Sequence, residues 1–158
     1  MAFTLIHGLI SFLIVSRFTK NKGLRKLAFI AGMLPDLDGI PLLFDLSLYY
    51  QIHHEWFHQP IYGIILGIPI ALILNKYFKL DKTKVFLVFA FSFIFHSITD
   101  LVTTSWPVKM FWPFSQEMHA FPFLEESSLW IYLIVFVLVG IQFYFERKSS
   151  LNLKQFLH

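Results

Sequence analysis

The chain has no cysteine, which excludes disulfides, thiolate nucleophiles and cysteine-ligated zinc. Charge is also scarce: 15% of the 158 residues are Asp, Glu, Lys or Arg, against about 25% in soluble domains. With 56% of residues hydrophobic and a mean hydropathy of +0.63, so few charges cannot solvate a water-soluble globule. A soluble enzyme and a disordered module are both disfavoured. Nor does a basic stretch precede the first apolar run. Residues 2–16 are free of charged side chains, and Arg17, Lys20, Lys22, Arg25 and Lys26 follow them. That order is the reverse of a secretory signal, so the run reads as a retained membrane segment. The net charge of +3 does not point to nucleic acid, because the basic residues gather between apolar runs as topology signals do.

What is present is a series of apolar stretches near the lower limit for crossing a bilayer, roughly 17–25 residues. Five segments are expected: Ala2 to about Arg17, Leu27 to Phe44, Pro60 to Phe78, Val85 to Thr103, and Leu129 to Phe145. The chain therefore reads as a single all-α, polytopic membrane domain over residues 1–158. Gly32, Pro35, Gly39 and Pro41 make the second segment bent or half-inserted, which is tolerated only beside protein or a water-filled cavity. Basic residues follow the first segment, separate the third from the fourth (Lys76, Lys79, Lys82, Lys84), and follow the fifth (Arg147, Lys148, Lys154). Lys/Arg-rich loops stay cytoplasmic, which gives five crossings with the N-terminus outside and the C-terminus inside. Most acids and imidazoles then fall in the outer half. Only Asp81, Glu146 and the terminal His158 lie on the inner side.

An ionisable group within a span is costly and points to function. His96 and Asp100, four apart in the fourth segment, share one helical face and can grip a metal ion or form a buried hydrogen bond. Asp36 and Asp38 flank one residue at the proline–glycine break. Two such carboxylates at membrane depth repel unless a cation or proton neutralises them; an acidic exposed loop is the plainer alternative. His7 stands alone on an apolar helix. The stretch His53-His54-Glu55-Trp56-Phe57-His58 contains the H-E-x-x-H pattern of metalloproteases, with Glu55 as its base. Pro60 opposes a helix through it, so the cluster is expected in a turn from which His53 and His58 converge. Together His7, Asp36, Asp38, His53, His58, His96 and Asp100 offer nitrogen and oxygen donors that suit zinc, manganese or iron. Seven donors exceed what one zinc needs. Two ions are therefore expected, a clamp suited to phosphate esters.

These residues resemble the membrane-bound, metal-dependent hydrolases described as LexA-regulated (domain of unknown function 457), a family distantly similar to zinc-dependent phospholipases C. The resemblance runs from His7 to Ser115. It is carried by His7, the Leu34–Asp38 stretch LPDLD, the His53…His58 turn, His96-x-x-x-Asp100 and the aromatic FWPFS from Phe111. It implies a hydrolase with a zinc cluster of two or three ions and an aspartate, Asp36 or Asp38, as bridge or base. The family's turn carries an arginine where this chain has His54, which leaves an anionic substrate to the metals or to Lys109.

The expected function is thus hydrolysis of a lipid phosphoester at the extracytoplasmic face of the inner membrane. Membrane lipids are the partners, no nucleic acid is involved, and no oligomeric state is implied. An intramembrane zinc metalloprotease using His54, Glu55 and His58 is one alternative. A metal-binding or metal-transporting protein is the other. The aromatic loop from Thr104 to Ser128 reads as an interfacial belt or as a lid, with His119 a further candidate ligand.

Overall fold

Short connections and side-chain caps set most of the helix boundaries. A computed structural model describes residues 4–156, with side-chain surroundings as far as residue 148. The expected start at Ala2 and the terminal His158 lie outside the described residues. Helix α1 (Thr4–Phe18) is followed after a three-residue link by α2 (Lys22–Met33), where Asn21 caps the Leu24 N–H at 3.1 Å. Pro35 has no N–H to donate and its ring would clash with the carbonyl of an α-helical turn, so α2 gives way to a 3₁₀ helix over Leu34–Leu43. The short α3 (Leu46–Ile52) starts at Asp45, whose carboxylate accepts from the Leu48 N–H. Pro60 initiates α4 (Ile61–Phe78), Asp81 caps α5 (Lys82–Thr103), and α6 (Ser128–Phe156) closes the chain.

The expected second segment, Leu27–Phe44, is bent as anticipated, but its helical part begins earlier, at Lys22. Lys22, Arg25 and Lys26, expected in a loop, lie within α2. Arg25 is buried because its guanidinium donates to Glu146 on α6 at 2.5 Å.

Helix α2 is the central element, packed against both α1 and α5, while α4 packs on α5 and α6 leans on α1. Small residues allow the close crossings, as in other membrane bundles. A Cβ on Gly8 would meet the Phe29 carbonyl oxygen at 2.8 Å, and one on Gly32 would meet the His7 carbonyl oxygen at 2.9 Å. Leu24, Leu27, Ala31, Ala71, Val85, Phe89 and Phe93 form the main core. Ile6, Leu13 and Val135 join α1 to α6.

Three helices, α4, α5 and α6, are long and apolar enough to cross a membrane, and α1 is an apolar helix of 15 residues. Outward-facing Ile64, Ile65, Ile68 and Leu72 on α4 are exposed, as a lipid-facing surface requires. There is no strand among the described residues, only an isolated bridge between Val108 and His119. Leu80 reaches Gly23 and Glu146 reaches Arg25, so the α1–α2 turn, the α4–α5 turn and the C-terminal part of α6 share one end of the bundle. The expected basic loops therefore gather at that end together with Asp81, and the other described histidines and aspartates lie away from it.

Candidate metal centre

Four parts of the chain deliver the polar groups to one buried place. His7 comes from the first turns of α1, Asp36 and Asp38 from the 3₁₀ helix, His96 and Asp100 from the last turns of α5. His53, His54 and His58 come from the turn between α3 and α4. That turn is not helical. His54 adopts φ 69°, the left-handed region that costs a side chain about 1–2 kcal/mol, and this reverses the chain. Ser97 on α5 anchors it by donating to the His58 carbonyl oxygen at 2.6 Å. Pro60 then fixes where α4 can begin.

All five imidazoles at this place are at most 2% exposed, and Asp100 is 3% exposed. Their protons can be assigned from their partners. His96 Nδ1 lies 2.8 Å from the Gly32 carbonyl oxygen, which can only accept, so Nδ1 carries the hydrogen. Its Nε2 then presents a lone pair toward Asp100 Oδ2 at 3.0 Å and Asp36 Oδ1 at 3.5 Å. Despite this proximity, neither His96 Nε2 nor Asp100 Oδ2 is hydrogen-bonded. His7 Nε2 lies 3.2 Å from Asp100 Oδ1 and is likewise unbonded. His58 Nε2 approaches both carboxylates, 3.3 Å from Asp36 and 3.5 Å from Asp100, and His54 Nε2 is 3.8 Å from Asp100.

Asp38 behaves differently. Its Oδ1 accepts from His53 Nδ1 at 2.6 Å and its Oδ2 from His58 Nδ1 at 3.1 Å, which turns the Nε2 atoms of both rings inward. The carboxylate–imidazole pairing found behind metal-bound histidines has this form. Burial, aided by the neighbouring His58, pushes the His54 imidazole down to about 3, so it is neutral and can donate a lone pair at ordinary pH.

Two groups result in which each residue offers a donor atom within 4.8 Å of the others: Asp36, His58, His96 and Asp100, and His53, His54 and His58. A cluster of imidazole and carboxylate donors of this kind can hold a metal ion. Buried donors left unbonded at His7, Asp36, His53, His54, His96 and Asp100 fit that occupant, since buried polar atoms are otherwise almost always paired.

A family model described as YdjM inner membrane protein matches residues 2–156, nearly the whole length. The chain belongs to the YdjM inner membrane protein family. No curated protein and no solved structure matches it. Membership of an inner-membrane family agrees with the apolar helices and with the family expected from the residues themselves.

Of the seven residues expected as ligands, Asp36, His53, His58, His96 and Asp100 fall in the two donor groups, while His7 lies beside Asp100 and Asp38 behind His53 and His58. His54, which the sequence reading used only in the protease alternative, sits among them. Glu55 does not: its carboxylate accepts from Lys109 at 2.5 Å, beside a cavity of about 270 Å³ walled partly by Trp56, Tyr62 and Trp112. The backbone of 53–58 also lacks the helix that an H-E-x-x-H site requires. His119 pairs through its backbone with Val108, and its ring packs between Phe111 and Phe121, outside both donor groups.

Trp106, expected in an interfacial belt or a lid, lies against the centre. Its ring meets His53 at 5.2 Å and His54 at 5.5 Å between centroids and stacks on Tyr50. The loop that carries it is tied to the end of α5, where the Phe121 and Leu124 N–H groups donate to the Leu101 and Val102 carbonyl oxygens. These otherwise orphaned carbonyls of the last turn are thereby satisfied.

Proposed function

We propose that this protein is a membrane-embedded, metal-dependent hydrolase acting on the phosphoester of a lipid. One observation carries the reading. His96 Nε2 and Asp100 Oδ2 approach to 3.0 Å inside the bundle without a hydrogen bond, and donor atoms of Asp36 and His58 lie within 4.8 Å of both. Lone pairs brought together out of water repel unless a cation lies between them. Nitrogen and oxygen donors without sulfur favour zinc, with manganese or iron as other fits. Donors beyond His58 in each of the two groups, Asp36, His96 and Asp100 in one and His53 and His54 in the other, favour two ions.

Asp36, His7, His96 and Asp100 would hold one ion, and His53, His54 and His58 the second. Bound divalent ions supply Lewis acidity and neutralise the charge of a phosphoryl group. The remaining steps fall to the protein. Of the two aspartates on the 3₁₀ helix, Asp36 keeps one oxygen, Oδ2, buried and unbonded, so it would take the proton of the attacking water. Asp38, with both oxygens engaged by imidazoles, orients His53 and His58 instead. Trp106 would cover the His53 side of the centre, and Lys109, paired with Glu55 at the neighbouring cavity, would meet the anionic part of the headgroup.

Five crossings with the N-terminus outside would put this end of the bundle at the outer leaflet, because the basic turns occupy the other end. The likeness to zinc-dependent phospholipases C belongs to this reading. The test is elemental analysis of detergent-purified protein together with turnover of phosphodiester and phosphomonoester lipids. Wild-type protein should carry metal and hydrolyse one class, and His96→Ala and Asp100→Ala should lose both properties. Full activity in both variants refutes the assignment. Metal without turnover leaves a binding or transport protein, while peptide cleavage abolished by Glu55→Gln would establish the protease.

A further inference from the structure

We propose that Thr99 is a positioning residue that fixes the tautomer of His7 and so completes the metal centre; the inference rests on the hydrolase reading above. Thr99 stands on α5 between His96 and Asp100. Its hydroxyl has one hydrogen and two lone pairs. The oxygen lies 2.7 Å from the His96 carbonyl oxygen and 3.1 Å from that of Phe95. Both carbonyls can only accept, and we place the hydroxyl hydrogen on that of His96, as is common for threonine within a helix.

A third contact remains, from Thr99 Oγ1 to His7 Nδ1 at 2.7 Å. With the hydroxyl hydrogen committed, this bond needs a hydrogen on the imidazole. His7 therefore carries its proton on Nδ1 and leaves Nε2 bare, 3.2 Å from Asp100 Oδ1. The arrangement parallels the Gly32 carbonyl at His96, whose ring lies 3.9 Å from that of His7. One turn of α5 thus supplies two ligands and the hydroxyl that aims a third ligand from α1. A neutral imidazole without that acceptor carries its proton on either nitrogen, and with Nε2 protonated His7 cannot ligate.

Thr99→Val keeps the volume and the branched Cβ while removing the acceptor; Thr99→Ser keeps the acceptor. The measurements are zinc affinity of the full-length protein by chelator competition, and the visible absorption of the cobalt(II)-loaded protein, which reports the ligand set. Thr99→Val should bind zinc about 10–100-fold more weakly, as for lost partners behind metal-bound histidines, and should shift the cobalt band. Thr99→Ser should restore both. In a His7→Ala background Thr99→Val should cost nothing further, since the hydroxyl acts through that ring.

Wild-type affinity and an unchanged cobalt spectrum in Thr99→Val overturn the proposal, as does an equal loss with His7 already removed. Should the valine variant not fold, Thr99→Ala is judged by the same criteria. A wild-type protein that binds neither metal overturns the hydrolase reading and this inference with it. Metal held equally by wild type and Thr99→Val overturns this inference alone.

Discussion

Asp38 accepts a hydrogen bond from His53 Nδ1 at 2.6 Å, and that bond decides which nitrogen of His53 faces the interior. Asp36, two residues earlier, faces His58 and His96 through their Nε2 atoms instead. The two carboxylates therefore should not respond alike to amide substitution. Asp38→Asn should lower metal affinity by about 10–100-fold, the usual cost of a lost partner behind a ligand, while the number of ions at saturation is unchanged. Asp36→Asn should abolish turnover outright. Metal titration beside lipid hydrolysis checks both, and equal effects of the two substitutions would contradict the division of roles.

Gly32 ties helix packing to the centre. A Cβ there would stand 2.6 Å from Ser11 Oγ and 2.9 Å from the His7 carbonyl oxygen, and a backbone oxygen cannot swing aside as a side chain can. Gly32→Ala should destabilise the bundle by about 1–3 kcal/mol, the range for overpacking. It should also weaken metal binding, since it separates the segments that carry His7 and the His96 acceptor. Denaturant unfolding in detergent and chelator competition measure the two effects. Gly140, where an added Cβ meets nothing within 4 Å, is the control, and alanine there should stabilise slightly, by up to about 1 kcal/mol, and leave metal binding unchanged.

His54 sets a pH dependence in the metal-free protein. Burial pushes its imidazole down to about 3, whereas in the unfolded chain it titrates near the ordinary value of about 6.5. Between those values the unfolded state binds the extra proton, so stability is unaffected above about pH 6.5 and falls as pH drops below it, by up to about 1.4 kcal/mol per pH unit. His54→Asn removes this dependence, and asparagine tolerates the left-handed backbone at that position. After chelation, the stability of wild type should decline more steeply than that of His54→Asn from pH 6.5 to 5. Parallel declines would show that His54 is not held neutral by the fold.

Local pattern made several of these features legible in advance. The spacing of His96 and Asp100 placed both on one face of α5, Pro35 marked the break after α2, and Pro60 placed the histidine cluster in a turn. What escaped the sequence depends on distant partners. Arg25 looked like a loop cation because the glutamate that neutralises it lies 121 residues away. Asp36 and Asp38 looked interchangeable because only the positions of His53 and His58 distinguish them. His54 gave no sign of its left-handed backbone, a conformation usually left to glycine or asparagine. Thr99 and the Gly32 carbonyl carry no motif, since a hydroxyl or a backbone oxygen acquires its role from whichever ring folds against it.

The donor residues all lie between His7 and Asp100, while α6 begins at Ser128 and touches the bundle mainly along α1 and at Arg25. Every side chain of the candidate centre thus precedes α6 in the chain. Helix α6 contributes no residue to either donor group and braces the bundle along α1 and at Arg25 instead.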